Sequence, residues 1–426
     1  MNKKFKKIDL ALATAACTLV GLAPGDMATA GEGDWDFKTA TLYYSEADRI
    51  NLVEAVLQAK KKLADDSSLS SKFTLDTLTG ASANGAVPGS RVQTFTRPSG
   101  RGSYTISAGD TPLDDTFQDT RVAINGAWEK PISRLTKALM SANLSKEFDF
   151  FSGAVSGLVT HDFNQRNTTL SAGLSYEGNI VEPEGGIPTS FGQMQPEGEA
   201  QPRDAGDDTQ NVIDLLLGVT QVIDRNSLFQ VNYGFSQASG YLSDPYKVLS
   251  VVDATSGEPI FLSGSLPDVR YEKRPDSRAK HSIFGQYKRN LDGDVLDVSY
   301  RYMLDDWDIS SHTLDLRYRW AMSAAGYLQP HLRYYQQNRA EFHQGFLVDG
   351  EPLPEFASAD YRLGDLTTYT VGLEYGRQTA SEHDWRLSFE YYLQAGEEPE
   401  AKFGALNDQE LCPDVKAVMV RFNYDF

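Results

Sequence analysis

Histidine and cysteine are the residue types best suited to acid–base, nucleophilic and metal chemistry, and this chain has few of either. No two histidines have the i,i+4 spacing of a helical metal site, and no CxxC pair is present. GxSxG, HExxH, P-loop and dinucleotide-binding motifs are absent in a fitting context. We therefore expect no enzyme activity, no metal site and no cofactor. The histidines are His161, His281, His312, His331, His343 and His383.

Arginines and carboxylates alternate with apolar residues in the C-terminal third. In residues 311–322, Asp315, Arg317 and Arg319 alternate with Leu314, Leu316, Tyr318 and Trp320. Side chains of a strand alternate between two faces, so the pattern predicts a strand with one charged and one apolar face. The chain also ends on such a strand, in which Tyr424 and Phe426 share the apolar face. A terminal strand ending in Phe resembles the signal read by the barrel assembly machinery of bacterial outer membranes.

Sixteen segments of about 9–13 residues can be interpreted as strands, a number that we expect to hold to within two. An even number returns the C-terminus to the side of the N-terminus, as outer-membrane barrels require. The segments are 35–46, 50–61, 70–80, 119–130, 135–145, 148–160, 167–177, 210–222, 227–237, 280–290, 295–304, 311–322, 326–337, 366–377, 384–394 and 415–426.

The connections between these segments support a barrel. If the first strand runs outward, every connection on the periplasmic side is short. The long connections, 81–118, 178–209, 239–279, 338–365 and 395–414, all fall on the opposite side. We therefore predict an all-β fold, a transmembrane antiparallel up-and-down barrel of about 16 strands with short periplasmic turns and long extracellular loops. The histidines then belong to turns and to the lumen. The spacing alone leaves open a Ser–His pair like that of outer-membrane phospholipases.

The inward faces of the predicted strands supply the candidate site. Arginines dominate the last six strands and carboxylates the early ones, so a basic wall would face a more acidic one. The residues predicted to line the lumen are Arg301, Arg317, Arg319, Arg333, Glu374, Arg386, Glu390, Arg421, Glu54, Asp76 and Asp214. Either Arg–carboxylate ladders fill the lumen, or the two walls orient and filter small solutes.

The outer loops are long, and several are acidic. Loop 81–118 carries Arg91, Arg97 and Arg101 on one flank and Asp110, Asp114 and Asp115 on the other. Folded inward it would plug the pore, and folded outward it would form a surface for a partner. Two further acidic segments have two possible interpretations. They are either solvated loops or surfaces that bind divalent cations bridging to lipopolysaccharide. The segments are the run 178–208 and the trio Asp305, Asp306 and Asp308.

Residues 1–30 have the features of a secretory signal peptide. Four lysines precede an apolar stretch, and Ala28-Thr29-Ala30 forms a cleavage site that leaves a barrel domain of residues 31–426. The segment contains four lysines and two aspartates, so its removal changes the net charge from −19 to −21. Such a chain repels nucleic acid. Only Cys412 then remains, which excludes an internal disulfide and covalently bound haem. We expect an outer-membrane protein in contact with lipid and lipopolysaccharide.

Several short runs resemble the bacterial family catalogued as domain of unknown function 3570. They include Tyr43-Tyr44-Ser45-Glu46-Ala47-Asp48-Arg49-Ile50, the run from Leu75 to Ala86, and Asp119-Thr120-Arg121-Val122-Ala123-Ile124. The resemblance extends from about residue 33 to the C-terminus and implies a Gram-negative outer-membrane barrel. It also suggests a setting in which an envelope complex handles redox or flavin chemistry.

Two functions fit these observations. The first is a porin-like channel for small polar or charged solutes, with Arg317, Arg333 and Arg421 at mid-depth. The second is a structural or docking barrel whose loops 81–118 and 239–279 hold an envelope protein partner.

Overall fold

The computed structural model describes residues 35–47, 49–379, 383–398 and 401–426. The predicted signal peptide lies outside these ranges. Among the described residues, no helix is long and apolar enough to cross a membrane.

Sixteen strands form one closed antiparallel barrel in which each strand pairs with its sequence neighbours and the last pairs with the first. The strands are β1 Trp35–Glu46, β2 Ile50–Lys62, β3 Ser68–Ala83, β4 Leu113–Pro131, β5 Thr136–Lys146, β6 Phe150–Phe163, β7 Thr168–Val181, β8 Asp208–Asp224, β9 Ser227–Gly240, β10 Ser277–Leu291, β11 Asp294–Asp305, β12 Ser310–Ser323, β13 Gly326–Gln337, β14 Leu366–Gln378, β15 Asp384–Gly396 and β16 Val415–Asp425. The predicted fold class and the strand number are confirmed. The main difference is that β4 begins at Leu113, six residues earlier than predicted.

The two faces of the strands explain why the sequence forms a barrel. Large apolar side chains remain exposed on the outward face, as at Met140, Val155, Leu332 and Phe389, each at least half exposed. Their neighbours on each strand are polar and point inward. Every backbone group of a closed sheet finds a partner, which a lipid environment demands. The outward face is therefore apolar, as the outside of a membrane-spanning barrel must be.

The two ends of the barrel differ. On one end, six connections within the described residues are only two to five residues long, such as Asp292–Gly293 between β10 and β11. Positive φ angles of 54° at Asp292 and 111° at Gly293 fit a tight hairpin. On the other end, five long loops emerge from widely separated pairs of strands.

These five loops fold together into one unit, here called the cap, made of residues 84–112, 182–207, 241–276, 338–365 and 401–414. Residues 248–252 pair with 269–271 and, in parallel, with 346–348. The backbone N–H of Ala405 donates to the Ser256 carbonyl. Because the loops start from strands all around the barrel and still contact one another, the cap crosses the outer mouth.

The cap contains the hydrophobic core of the molecule. Phe95, Val248 and Val269 lie in one buried cluster, and Leu249 lies in a second one with Leu347; Phe95, Leu249 and Val269 are 0% exposed. A barrel with water inside and lipid outside has no apolar interior of its own. The buried apolar side chains are therefore concentrated in the loops.

A buried ionic network joins two of the cap loops. Arg274 contacts Glu272 at 2.6 Å and Asp360 at 2.9 Å, and Arg362 contacts Asp360 and Asp244. Burial opposes ionisation of Asp360, but the hydrogen bonds from Arg362 together with the positive charges of Arg362, Lys247 and Arg274 outweigh burial and hold the pKa of this carboxyl well below its usual range. Buried charges of this kind fix loop geometry because losing one partner leaves the other unsatisfied.

Candidate functional site in the barrel lumen

Strand alternation brings the eleven predicted lumen residues onto the inward face of the barrel. On β12, for example, Arg317 lies between the outward Leu316 and Tyr318, and it pairs in register with His331 of β13. The residues that the registers place inside are Glu54, Asp76, Asp214, Arg301, Arg317, Arg319, Arg333, Glu374, Arg386, Glu390 and Arg421.

On the early strands, three of these positions form one transverse row. Glu54, Asp76 and Arg121 are consecutive register partners on β2, β3 and β4. Arg121 donates to Asp76 at 2.7 Å from Nε and lies 3.7 Å from Glu54. The predicted set did not include Arg121. Alternation along the predicted strand 119–130 could have indicated it, because Arg121 lies on the same face as Asp119, two residues earlier.

On the later strands, His331 bridges two carboxylates. Its Nδ1 lies 2.7 Å from Glu390 Oε1 and its Nε2 lies 2.8 Å from Asp315 Oδ2. Glu390 reaches His331 from β15 by crossing Gly372 of β14, which pairs with both residues in register. A neutral imidazole has only one N–H group, so two short contacts to carboxyl groups require one more proton. The cluster holds this proton either on the imidazole or on one of the carboxyl groups. Sequence reasoning missed this bridge because Glu390 lies two strands away from His331, beyond β14.

Nearer the end with short connections, a second group of lumen side chains is also paired. Tyr327 lies over Gly376 and donates to Glu374 at 2.8 Å, while the Arg319 guanidinium stacks on the Tyr327 ring. Arg386 contacts Asp425 at 3.1 Å, and Lys38 contacts the same carboxylate at 3.2 Å. These contacts tie β12 through β16 to β1 across the seam where the barrel closes.

Three arginines of the basic wall have neither an ionic partner nor a stacked aromatic ring among the described residues, whereas Arg319 stacks on Tyr327. Arg301, Arg333 and Arg421 are exposed to the lumen, whereas Arg317 is paired with Asp315 and Arg386 with Asp425. The early strands carry Glu54, Asp76, Glu177 and Asp214 on the facing wall. The lumen therefore contains both salt-bridged ladders and unpaired cations. From the sequence alone these had been alternatives: ladders that fill the lumen, or charged walls that orient and filter solutes.

The histidines correct one expectation. His161, His281 and His312 lie on the outward face rather than in turns or the lumen, since their register partners point toward lipid. Tyr233 and Tyr300 hydrogen-bond His281 Nδ1 at 2.8 Å and His312 Nδ1 at 2.6 Å. Tyrosine and histidine near the ends of the strands, as at His281 and His312, suit the boundary between lipid and water, where amphipathic rings concentrate. Only His331 lies in the lumen, and His343 belongs to the cap.

Loop 84–112 lies in the cap, over the mouth. Its contacts are with other loops: Val87 N–H donates to Ser250 Oγ at 2.9 Å, and Val248 N–H donates to the Asn84 carbonyl at 2.8 Å. The loop is shorter than the predicted range 81–118, because β3 continues to Ala83 and β4 begins at Leu113. The loop is thus part of a lid, with the lumen below it.

Of the predicted acidic clusters, the one at 305–308 has a structural role. Asp305 contacts Arg278 and accepts the backbone N–H groups of Trp307 and Ile309. A different group of carboxylates converges at the outer rim, where oxygens of Asp119, Glu147 and Asp149 lie within 4.8 Å of one another. Burial, reinforced by Asp119, raises the pKa of Glu147 to about 7.

At the C-terminus, the predicted assembly residues lie on the closing seam. The Tyr424 ring packs edge-on against Phe426 with centroids 4.6 Å apart, and His383 stacks on Tyr424. Phe426 N–H donates to the Phe37 carbonyl of β1 at 2.9 Å.

A closed 16-strand sheet with an apolar outward face and a polar interior defines a membrane-spanning β-barrel of the outer-membrane type. The sequence profile described as Protein of unknown function (DUF3570) matches residues 9–426, and the chain belongs to this family. A search of curated proteins found no match.

Several solved structures are similar to the chain at low sequence identity. The siderophore receptor PirA from Acinetobacter baumannii is 10% identical with a TM-score of 0.41, over 92% of this chain and 60% of that chain. The chain thus spans about three fifths of that receptor's length. The loop L8 deletion mutant of OmpT from Vibrio cholerae is 10% identical with a TM-score of 0.40, over 93% and 100% of the two chains. A bacterial polysaccharide outer membrane secretin is 8% identical with a TM-score of 0.45, over 93% and 99%.

Proposed function

We propose that this protein is a porin-like channel in the outer membrane that passes small polar or charged solutes. The observation that carries the proposal is the set of three unpaired arginines, Arg301, Arg333 and Arg421, on one wall of a 16-strand lumen. A barrel of this size is wide enough for an aqueous path. Export with removal of residues 1–30, and insertion by the assembly machinery through Tyr424 and Phe426, belong to the same proposal.

The two walls give the channel a transverse field. Unpaired guanidinium groups attract the anionic part of a passing solute, while Glu54, Asp214 and Glu177 on the facing wall attract its cationic part. Charges that line a narrow path select ions and solutes by sign and by orientation. The cap restricts access from outside, so solutes enter between its loops and the barrel rim.

Planar-bilayer recording of the refolded protein tests the proposal. We expect stable single-channel steps, and we expect replacement of all three arginines by glutamine to shift the reversal potential toward cation selectivity. The shift should be largest at about 0.1 M salt and should shrink near 1 M, since screening shortens the range of the field from about 10 Å to about 3 Å.

Arg289→Gln is the matched control, because Arg289 lies at the end of β10 among exposed residues and points away from the lumen. Heat-modifiable migration on gels must show that every variant is folded. Folded protein without conductance would exclude the channel.

A second candidate function is a docking barrel that holds an envelope protein partner in a complex concerned with redox or flavin chemistry. It is favoured by the cap, which has its own hydrophobic core and keeps Leu262 and Leu353 more than 40% exposed. Affinity purification from native membranes tests it, with a cap variant Leu353→Glu as the control. Recovery of the same partner by the wild type alone would favour docking over transport.

A further inference from the structure

A recess of about 420 Å³ opens into the lumen against strands β2–β7, on the wall opposite Arg301 and Arg333. Its lining is almost wholly polar, with Phe150 as the one aromatic ring among the lining residues described. The recess lies below the cap and belongs to the path that the proposed channel would use.

The register of the strands explains why a recess forms there. Thr74, Ala123, Ser145 and Ser152 are consecutive register partners on β3, β4, β5 and β6, and all four line the cavity. A row of short side chains leaves space between rows of longer ones. The outer row, which includes Arg121, Glu147 and Phe150, forms one rim.

The inner rim is a second register row with an ordered sequence of chemical groups. Lys72, Asn125, Asn143, Ala154 and Glu177 follow one another on β3 to β7. All of these except Ala154 line the recess. The row therefore begins with an ammonium group, passes two carboxamides and ends with a carboxylate.

The two charged ends of this rim are available to a ligand. The ion pairs of this wall join Arg121 to Asp76 and Glu54, and Lys137 to Glu129, which leaves Lys72 and Glu177 without an ionic partner among the described residues. Glu177 accepts one hydrogen bond, from the Asn179 carboxamide at 2.9 Å. Four strand spacings separate Lys72 from Glu177, roughly 19 Å at the backbone, and their side chains shorten that gap.

We infer that this recess binds short zwitterionic peptides. A free C-terminal carboxylate would pair with Lys72, a free N-terminal ammonium with Glu177, and peptide groups would hydrogen-bond Asn125 and Asn143. An extended peptide of four residues spans about 14 Å, which suits the distance that remains between the two charged side chains. A neutral saccharide would satisfy the amides but leave both charges without a partner. The inference names the solute class of the proposed channel and rests on that proposal.

Ligand-detected NMR on the refolded full chain in micelles tests binding without any need for conduction. The probes are tetra-alanine, its N-acetyl form, its C-terminal amide, the doubly blocked peptide and maltotetraose. We expect Lys72→Met to weaken tetra-alanine roughly fivefold and to leave the C-terminal amide unaffected. Glu177→Gln should weaken tetra-alanine and leave the N-acetyl form unaffected.

Lys137→Met and Glu129→Gln are the matched controls, because they remove the same charges from β5 and β4 outside the recess. Lys72→Arg keeps the cation and should restore binding, which separates charge recognition from a folding defect. The inference is overturned if no peptide binds, if the doubly blocked peptide or maltotetraose binds as tightly as tetra-alanine, or if both lumen substitutions leave binding unchanged. Binding without conductance would overturn the channel alone.

Discussion

At the scale of single residues, the glycines of β14 determine which lumen side chains come into contact. Gly372 lies between His331 and Glu390 in the register, and a Cβ placed there would come within 2.7 Å of Glu390 Cγ. Gly376 has the same relation to the Tyr327 ring. Strand β14 is thus covered by side chains from its neighbours, which is how the ladder passes across it.

Gly372→Val should break the contact between Glu390 and His331. Strain at the Cβ and the loss of one carboxylate from the imidazole should lower the free energy of unfolding by about 1–3 kcal/mol. Urea unfolding of the barrel in liposomes measures this change. Gly285→Val is the control, because a Cβ at Gly285 meets nothing within 4 Å and valine favours strands. Equal destabilisation by both variants would contradict the bridging role of Gly372.

The burial of His343 predicts that the cap becomes less stable at acidic pH. Burial lowers the pKa of His343 to about 4, despite the nearby carboxylates of Asp360 and Asp365. The folded cap therefore holds neutral imidazole, and its contribution to stability is complete above pH 6.5. As the pH falls toward 4, the unfolded loops bind a proton that the folded cap does not, which costs about 1–3 kcal/mol.

Limited proteolysis of the cap from pH 7.5 to pH 4 measures this effect. Cleavage in loop 338–365 should increase as the pH falls, and His343→Gln should show a weaker pH dependence. A pH profile identical in the two proteins would exclude His343 as the group responsible.

At the scale of elements, the strands could be predicted and the cap could not. Each strand separates lipid from water, so its sequence alternates with period two. All sixteen strands were predicted, with the largest boundary error, six residues, at the start of β4. The outward His281 and the cross-strand bridge of His331 depend on face and register, which composition does not reveal. The sequence did not indicate that Leu249 and Val252 are buried either. The core of the cap has no periodic hydrophobic pattern, because it forms between loop segments that are distant in sequence.

Leu249→Ala should loosen the cap and leave the barrel intact. Leu249 is fully buried among Val251, Leu347 and Ala357, so its truncation should cost about 2–5 kcal/mol. The expected result is rapid protease cleavage in the outer loops with unchanged heat-modifiable migration. Leu353→Ala, at a residue 54% exposed in the same cap, should have no effect. Loss of the folded barrel in Leu249→Ala would show that the cap and the strands fold as one unit.

At the scale of the whole molecule, the cap and the lumen are separable parts. The cap is held by loop-to-loop contacts, and the lumen is built from strand registers that continue without it. Ala83 of β3 pairs with Leu113 of β4 directly below loop 84–112. A two-residue Asn-Gly turn can therefore replace the loop and close the hairpin without disturbing the barrel.

Replacement of loop 84–112 by Asn-Gly should enlarge the single-channel conductance in planar bilayers. The loop supplies Phe95 and Val87 to the buried core and holds the strand at 248–252 through Val87 and Asn84. Its loss should release the cap from the mouth and expose the lumen. Removal of the exposed tip at 350–354 is the control and should change the conductance little, because it leaves these contacts in place. Equal conductance in all three proteins would mean that solutes bypass the cap, and that selection occurs only at the lumen walls.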